Sequence, residues 1–545
     1  MDASKKARTW LPLTIGVSIA AGILIGTMFS RFNRPSMALR GTAKLNAVLN
    51  YINHSYVDTI DMPVLIENTL PQLLHQLDPH SNYISAAEMK RVDEDLEGHF
   101  SGIGVSFFVL RDTIVVTGII PGGPSEAAGI KPWDRIVSVD DSLMVGEKLN
   151  NELVMKSLRG ARGTTTKLEI YRDGKALEQP IVVTRGDIPK NSVLASYMLT
   201  DNIGFIKIGT FAFTTFNEFI SAISKLKNEG ANSFVIDLRG NFGGSLEAVI
   251  AMVNEFLDKG DLIVYAEGRS FPREDRRANG SGSCKKDNVV VLIDEMSASA
   301  SEIFAGAIQD NDRGLILGRR SFGKGLVQSQ RKFNDGSAVR LTVARYYTPS
   351  GRSIQRKYER GKYDEYEMNA VNRYIQGDYE NIDTTLNLLP YKTVSGRQVF
   401  GGDGIMPDIF IPRDTLGINS YYTSLANRNY IQEYAMTYSD MHRKQLSQFS
   451  TWREMYHYLK QQPLVLNLTS YADHRGIRRR PYYIEESFNL MEKEMCAFII
   501  RNFFDEEGFY SVWLRNDIVL NKSIQLLDSN KVSPEAIANE KYSQN

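Results

Sequence analysis

Two stretches in the middle of the chain repeat one order of elements: a short apolar strand, a tight turn and an apolar helix. The first runs over 233–257 with a glycine-rich turn at 239–244. The second runs over 289–310 with a serine-rich turn at 295–298. Strands that alternate with helices pack as layers, because each element must bury its apolar face against another. Residues from about 190 to 350 are therefore predicted to form an α/β core.

The second turn leads into three serines at alternate positions from 297 to 301, yet no histidine occurs between His99 and His442. A serine hydroxyl is a poor nucleophile until a neighbouring group takes its proton. Neutral lysine can act as that base when imidazole is missing, provided that burial lowers its pKa. Lys324 lies between two glycines, with Phe322 and other apolar residues nearby. The pattern predicts a Ser-Lys dyad.

Each of these residues also has a simpler interpretation. Serine is a preferred N-cap of helices, so a serine cluster at a helix start needs no catalytic role. Lys324 could be an ordinary solvated lysine. If 324–329 is extended, however, Lys324 and Gln328 share one face of a strand, which places an amide beside the amine.

The glycines of the first turn can bring backbone N–H groups close to a ligand, so Gly243 and Gly244 are candidates for stabilising an oxyanion. The serine cluster lies at the positive end of a helix dipole, where N–H groups are free. Glu302 lies in the first turn of the same helix. Because the helix dipole alone explains a carboxylate there, Glu302 is predicted to be structural.

Short strands punctuated by glycine follow residue 98. The order is Gly102-Ile103-Gly104-Val105, then Pro121-Gly122-Gly123-Pro124-Ser125-Glu126-Ala127-Ala128-Gly129-Ile130, then Asp134-Arg135-Ile136. This order resembles a PDZ domain, which would occupy 99–186. The resemblance implies that the segment from Gly102 to Val105 holds a free carboxylate and offers a strand edge to a peptide. Backbone N–H groups in a glycine-rich turn form an anion nest, and an added strand supplies main-chain hydrogen bonds.

An uncharged run from Trp10 to Phe29 follows three basic residues near the start of the chain. A run of about twenty apolar residues is long enough to cross a bilayer as a helix. A cleaved signal peptide is the alternative, although its apolar core is usually shorter. The run predicts a single-pass inner-membrane anchor in residues 1–30, with an exported catalytic body in the periplasm.

Composition excludes several classes of function. The 545 residues include 64 basic and 64 acidic side chains, so no overall field draws the chain to nucleic acid. The two cysteines are too few for a disulfide framework, and no Cys/His cluster has the spacing of metal ligands.

The charged and glycine-containing stretch 269–287 is predicted to be a mobile loop.

Several segments resemble the carboxyl-terminal processing peptidases, also called tail-specific proteases. They are Ser297-Ala298-Ser299-Ala300-Ser301-Glu302-Ile303, Ser321-Phe322-Gly323-Lys324-Gly325-Leu326-Val327-Gln328 and Tyr347-Thr348-Pro349-Ser350-Gly351-Arg352, with Leu77-Asp78-Pro79-His80-Ser81 and Gly401-Gly402-Asp403-Gly404 on either side. The resemblance covers 41–412, including the PDZ insertion. It implies a crotonase-like (ClpP/crotonase-type) serine peptidase core that needs no cofactor or metal.

By this resemblance Ser299 is the nucleophile, Lys324 the general base and Gln328 the residue that orients the base. The oxyanion hole is implied to use the backbone N–H of Ala300 and that of Gly243 or Gly244. The turn carries Phe242 where the family usually has proline.

The expected organisation is an N-terminal anchor (1–30), a helical region (41–98), the PDZ domain (99–186), the peptidase core (187–412) and an additional helical domain (413–545). The last domain could cover the protease, oligomerise it or bind an adaptor. The expected function is a serine endopeptidase that cleaves proteins whose C-terminal tails the PDZ domain captures. Two alternatives stay open: a PDZ scaffold without activity, and a protease that is latent until an activator or a peptide binds.

Overall fold

The computed structural model of the chain describes residues 39–376 and 389–529. In chain order the helices are α1 (Leu39–Ser55), α2 (Met62–His75), α3 (Ala86–Glu97), α4 (Pro124–Ala127), α5 (Asn151–Leu158), α6 (Thr215–Asn228), α7 (Leu246–Asn254), α8 (Ala300–Asp310), α9 (Tyr363–Gln376), α10 (Ser420–Asn427), α11 (Tyr430–Leu446), α12 (Trp452–Leu459), α13 (Leu464–His474), α14 (Pro481–Trp513) and α15 (Ile518–Asp528).

The strands are β1 (Asn82–Ile84), β2 (His99–Gly102), β3 (Val105–Leu110), β4 (Thr113–Ile119), β5 (Arg135–Val139), β6 (Ser142–Leu143), β7 (Thr165–Arg172), β8 (Lys175–Ala176), β9 (Ile181–Thr184), β10 (Gly186–Pro189), β11 (Val193–Met198), β12 (Ile203–Ile208), β13 (Ser233–Asp237), β14 (Leu262–Gly268), β15 (Phe271–Arg277), β16 (Asn288–Ile293), β17 (Leu315–Gly318), β18 (Leu326–Lys332), β19 (Ala338–Tyr347), β20 (Leu389–Lys392), β21 (Gln398–Gly401) and β22 (Ile409–Phe410).

The described chain forms two units that divide between Leu73 and Leu74. The first unit contains α1 and most of α2. The second begins at the end of α2 and continues into α3, whose start is fixed by a capping box between Ser85 and Glu88. Gly98 ends that helix in the left-handed conformation, at φ 73°, which glycine adopts without strain.

An antiparallel β domain is inserted after α3. Strands β2 and β10 pair with each other, so the two ends of the insertion meet. Between them lies a sheet of order β3-β4-β5-β7-β8, and β3 is at its edge. Its apolar side chains form a separate core around Ile114, Ile136 and Leu168.

The peptidase region is built on a sheet of order β11-β12-β13-β16-β17-β22. Only the β11–β12 pair is antiparallel, and the pairs from β12 to β22 are parallel. Helices α6, α7 and α8 pack against one face of this sheet. Helix α15, from the end of the described chain, packs against the other face. Parallel strands require cover on both faces, which explains why β12, β13 and β16 are almost wholly buried.

A second sheet joins distant parts of the chain. Its order is β1-β19-β14-β15, and β18 pairs with β19. The short strand β1 and the long strand β19 bring the segment before α3 next to residues that follow Lys324.

Helices α10 to α14 form a further core of their own, rich in tyrosine, methionine and leucine. The long helix α14 is kinked at Phe504 and Asp505, where the backbone leaves helical values. The region predicted to be helical is therefore helical, with α15 placed against the peptidase sheet.

One local prediction is wrong. The stretch 269–287, predicted to be a mobile loop, contains strand β15, which pairs antiparallel with β14. Its side chains are mostly exposed, so the apolar alternation typical of a strand is missing from the sequence.

The predicted membrane anchor also has to be corrected. Along the described residues, no helix combines the length and the apolar character that crossing a bilayer requires. This finding does not support a transmembrane helix, nor the single-pass inner-membrane and periplasmic location that was derived from it. The uncharged run 10–29 itself lies outside the described residues.

Candidate active site

Ser299 lies in the sharp turn that joins β16 to α8. Its backbone has φ 54° and ψ −110°, a region that residues other than glycine rarely adopt. Strained backbone of this kind persists only where the surrounding structure holds it, and it is common at active sites.

Ser299 differs from the other two serines of the cluster in its surroundings. Ser297 and Ser301 are fully buried, and their hydroxyls donate to the carbonyls of Leu238 and Asn241 at 2.9 Å each. Ser299 is partly exposed. The two flanking hydroxyls therefore hold the turns together, and the middle one is the serine that solvent and a substrate can reach.

The glycine-rich turn after β13 packs directly against Ser299. A Cβ atom on Gly243 would lie 2.8 Å from Ser299 Cβ and 2.9 Å from Ala300 N, so no larger residue fits there. At Gly244 a Cβ would lie 2.1 Å from the carbonyl oxygen of Phe211. The N–H of Gly243 donates to Asn241 Oδ1 at 2.8 Å. The N–H of Ala300 belongs to the first turn of α8, where helix N–H groups have no acceptor within the helix.

Lys324 lies in the loop 321–325 rather than in the strand, because β18 starts at Leu326. Its flanking glycines are packed closely: a Cβ on Gly325 would lie 2.8 Å from Gln355 N. Burial lowers the pKa of Lys324 below that of an ordinary lysine, and the positive charge of Arg340 lowers it further, against the opposing effect of Glu302. A lysine with a lowered pKa is suited to take a proton.

Glu302 joins the two loops. Its Oε2 accepts hydrogen bonds from the N–H groups of Ser299 at 2.9 Å and Lys324 at 2.8 Å. Its Oε1 accepts from Gly323 N at 2.7 Å and from Ser321 Oγ at 2.5 Å. The side chain is fully buried, and burial raises the pKa of Glu302, while these four hydrogen bonds oppose that rise. A residue predicted to serve only the helix dipole thus fixes the candidate nucleophile and base relative to each other.

Gln328 lies in β18, just after an irregularity between Val327 and Gln328 in the pairing with β19. Its Nε2 donates to the carbonyl oxygen of His80, a residue 248 positions earlier. Tyr366 Oη lies 3.1 Å from His80 Nε2.

The His80 side chain is largely buried, and burial together with the charge of Lys324 lowers its pKa to about 3, although Asp78 opposes the shift. Its ring is therefore neutral near pH 7 and lies within electrostatic range of the candidate base. Sequence reasoning gave His80 no role. The available signal was the Leu77-Asp78-Pro79-His80-Ser81 motif, which belongs to the resemblance.

The predicted carboxylate loop lies between β2 and β3 of the inserted domain. Gly104 has φ 77°, and the carbonyl of Ile103 accepts hydrogen bonds from Ser125 N at 3.0 Å and Ser125 Oγ at 2.6 Å. Strand β3 follows at Val105 and pairs only with β4 in the described chain. The loop is therefore anchored, and along the described residues the other edge of the strand beside it pairs with no strand.

Comparison with known proteins agrees with this geometry. The sequence model of peptidase family S41 matches residues 202–363, a PDZ domain model matches 101–183, and a family of unknown function matches 421–505. The chain is 35% identical over 347 residues to the protein named probable CtpA-like serine protease of Staphylococcus haemolyticus. The alignment covers 63% of this chain and 68% of that protein. It is 36% identical over 315 residues to the carboxy-terminal processing protease CtpA of Bacillus subtilis, covering 58% of this chain and 66% of that protein.

Solved structures give similar relatives. The photosystem II D1 C-terminal processing protease is 27% identical, with 56% of this chain and 82% of that chain covered and a TM-score of 0.31. The PDZ domain of a carboxy-terminal protease from Vibrio cholerae, solved with a peptide, is 25% identical over 16% of this chain and 97% of that chain, with a TM-score of 0.16. The predicted α/β serine peptidase with an inserted PDZ domain is confirmed, and the chain belongs to peptidase family S41, among the carboxy-terminal processing serine proteases.

Proposed function

We propose that this serine protease cleaves proteins whose free C-terminal tails bind its PDZ domain, with Ser299 as nucleophile and Lys324 as general base. The observation that carries the proposal is the single oxygen of Glu302, Oε2, which accepts hydrogen bonds from the backbone N–H groups of both residues. Ser321 also binds Glu302, but it is fully buried and its hydroxyl donates to Oε1, whereas Ser299 is partly exposed.

The chemistry follows from the protonation state of Lys324. Its neutral amine takes the proton of Ser299 Oγ, and the alkoxide attacks the scissile carbonyl. The C–N bond then breaks, Lys324 gives the proton to the leaving amine, and an acyl-enzyme with a neutral lysine remains. The same amine then activates the water that releases the acyl group. Because Gln328 Nε2 donates to His80 O, its Oε1 is the end that can accept a hydrogen bond from Lys324 and orient the amine.

The oxyanion is assigned to the N–H of Ala300 together with Gly243 or Gly244. Removal of one such donor typically slows catalysis by about 10² to 10³ fold. The N–H of Gly243 donates to Asn241 Oδ1 in this structure, so its use requires that this bond be shared or released.

The hydrogen bond from Gly243 to Asn241 supports the proposal of a resting state that becomes active when a peptide binds. We propose that a tail bound at Gly102, Ile103, Gly104 and Val105 favours the aligned form. A binding energy that differs between two states shifts their populations. We propose that binding of an activator or adaptor protein, or of a second copy of this chain, could favour the aligned form in the same way.

The proposal is tested with the full chain and an unfolded protein substrate. Ser299→Ala and Lys324→Ala should each abolish cleavage while leaving binding of the substrate intact. Ser329→Ala and Lys332→Ala, which change exposed residues on the neighbouring strand, serve as matched controls and should cleave like the wild type. Cleavage that survives either active-site substitution would contradict the assignment of that residue.

A further inference from the structure

Arg239 begins the glycine-rich turn and lies between two carboxylates. Its Nε donates to Asp237 at 3.1 Å, and its Nη2 donates to Asp237 Oδ2 at 2.7 Å. On its other edge, Nη1 donates to both oxygens of Asp517, at 3.1 and 2.9 Å. Planar guanidinium groups bound through two edges are fixed in position and orientation.

Asp517 comes from the C-terminal helices, 278 residues after Arg239. It is the N-cap of α15, and its Oδ1 accepts a hydrogen bond from Leu520 N at 2.8 Å. The apolar face of α15 is buried against the central sheet. The packing of this helix therefore determines where the Asp517 carboxylate lies.

The backbone around Arg239 is held on both sides. Lys207 Nζ donates to the carbonyl oxygen of Arg239 and, at 3.2 Å, to Asp237 Oδ1. The next residue, Gly240, donates its N–H to Asp294 Oδ1 at 2.9 Å. The turn then continues to Gly243, which packs against Ser299. A chain of direct contacts thus runs from Asp517 to the candidate nucleophile.

Four largely buried charges balance in this network. Lys207 and Arg239 are positive, and Asp237 and Asp517 are negative. Without the charge of Asp517, the network would keep two cations and one anion. An uncompensated buried charge is strongly unfavourable, so Arg239 would have to move toward water and take the turn with it.

We propose that Asp517 is a positioning residue for the oxyanion turn, so that the C-terminal helical domain forms a working part of the catalytic centre. The proposal rests on the assignment of Ser299 and of the turn given above.

The test is Asp517→Asn in the full chain. Asparagine is as good an N-cap as aspartate, so α15 keeps its start, but the neutral amide cannot balance Arg239. We expect kcat to fall by about tenfold to a hundredfold with KM unchanged, because small displacements at a reacting centre have effects of this size. Asp517→Glu, which restores the charge, should recover part of the loss.

Glu507→Gln is the matched control. It breaks the 3.1 Å ion pair with Lys225, which also joins the C-terminal helices to the peptidase core but does not lead to the turn. This variant should keep the kcat of the wild type. Equal kcat in Asp517→Asn and the wild type would overturn the proposal. It would also be overturned if kcat fell in both variants in proportion to the fall in their thermal unfolding temperatures, because the loss would then reflect stability alone.

A parallel Ser299→Ala measurement separates this inference from the assignment on which it rests. If Ser299→Ala still cleaves, the site assignment is wrong. If Ser299→Ala is inactive and Asp517→Asn is fully active, only the positioning role of Asp517 is wrong.

Discussion

Glu302 shows how one side chain can set the relation between two loops, those that carry the proposed nucleophile and base. Its two oxygens accept four hydrogen bonds, from three backbone N–H groups and the hydroxyl of Ser321. All four donors require an acceptor, so the ionised carboxylate is the form that satisfies them. The separation of the loops that carry Ser299 and Lys324 therefore depends on one buried charge.

Substitution of Glu302 by Gln should separate the two loops. Glutamine keeps the shape but has one acceptor oxygen instead of two, so buried N–H groups lose partners. We expect a loss of about 1–3 kcal/mol in the free energy of unfolding and a fall in kcat of about a hundredfold. Denaturant unfolding and steady-state kinetics measure the two effects.

Glu494→Gln provides the control for this experiment. Glu494 is a largely buried carboxylate in α14 that accepts a hydrogen bond from Tyr422, far along the chain from the site. It should affect stability but not kcat. Unchanged kcat in Glu302→Gln would contradict the bridging role.

Arg340 should control the pH at which the enzyme becomes active. Its positive charge lowers the pKa of Lys324, and activity rises with pH as that lysine loses its proton. Arg340→Gln removes the charge, so the pKa of Lys324 rises and the acidic limb of kcat/KM moves to higher pH. The matched variant Arg331→Gln, on the exposed side of β18, should leave the limb in place. A limb that does not move in Arg340→Gln would contradict Lys324 as the base.

Among single residues, the sequence offers Ser299 and Lys324 as candidates for nucleophile and base because they lie in a local pattern of turns and glycines. It did not predict the hydrogen bonds of Glu302 to both loops, because a helix dipole explains a carboxylate in a first helical turn equally well. It also gave no role to His80, whose contact with Gln328 spans 248 residues. Long-range contacts of this kind depend on tertiary packing that local patterns do not contain.

At the scale of elements, the turn 78–81 supports the strand that carries Gln328. Asp78 Oδ1 accepts hydrogen bonds from the N–H groups of His80 at 2.9 Å and Ser81 at 2.8 Å, and from Thr342 Oγ1 at 3.0 Å. These bonds attach the turn to β19 and place the carbonyl of His80 beside Gln328. The neutral ring of His80 is buried in the same place.

The buried His80 should make stability depend on pH. Its pKa is about 3 in the folded chain and 6.5 in the unfolded chain, so the unfolded chain binds more protons between these values. The free energy of unfolding should fall as pH falls below 6.5, by at most about 1.4 kcal/mol per pH unit from this residue. Urea unfolding of the full chain between pH 7 and pH 4 measures the slope.

A His80→Gln variant should show a shallower slope over the same range. His474→Gln, which changes an exposed histidine in α13, should retain the slope of the wild type. Equal slopes in His80→Gln and the wild type would contradict the assignment to His80.

Elements with regular apolar patterns were predicted well, and polar ones were not. The strand, turn and helix units around β13 and β16 follow the predicted pattern closely. Strand β15 was missed because hydrogen bonds to β14 and ion pairs of Asp275 with Arg273 and Arg277 stabilise it, rather than a buried face. The sequence left open whether the segment 324–329 is extended. The structure starts β18 at Leu326 and places Lys324 in a loop, between the closely packed Gly323 and Gly325.

At the scale of the whole molecule, the C-terminal helices complete the peptidase core. Leu520 of α15 is buried against the sheet, whereas Ile518 in the same helix is exposed. Leu520→Ala should therefore cost about 2–5 kcal/mol of stability. Ile518→Ala is its matched control and should leave the thermal unfolding temperature nearly unchanged. Equal effects of the two substitutions would contradict the packing of α15 on the sheet.

The sequence predicted the α/β core, the inserted PDZ domain and the helical C-terminal region, but it left the task of that region open. Helical periodicity identifies an apolar face and does not state which surface the face covers. The structure places part of this region on the sheet and brings Asp517 to Arg239. Neither feature could be inferred from residues so far apart in the chain.

We propose that capture of a tail and cleavage at Ser299 act on the same substrate molecule. The most direct measurement is kcat/KM of the full chain for one unfolded protein with either a free or an amidated C-terminus. We expect faster cleavage of the free-tail substrate, inhibition of that cleavage by a short peptide with a free C-terminus, and no cleavage of either substrate by Ser299→Ala. Equal kcat/KM for the free and amidated substrates would contradict it.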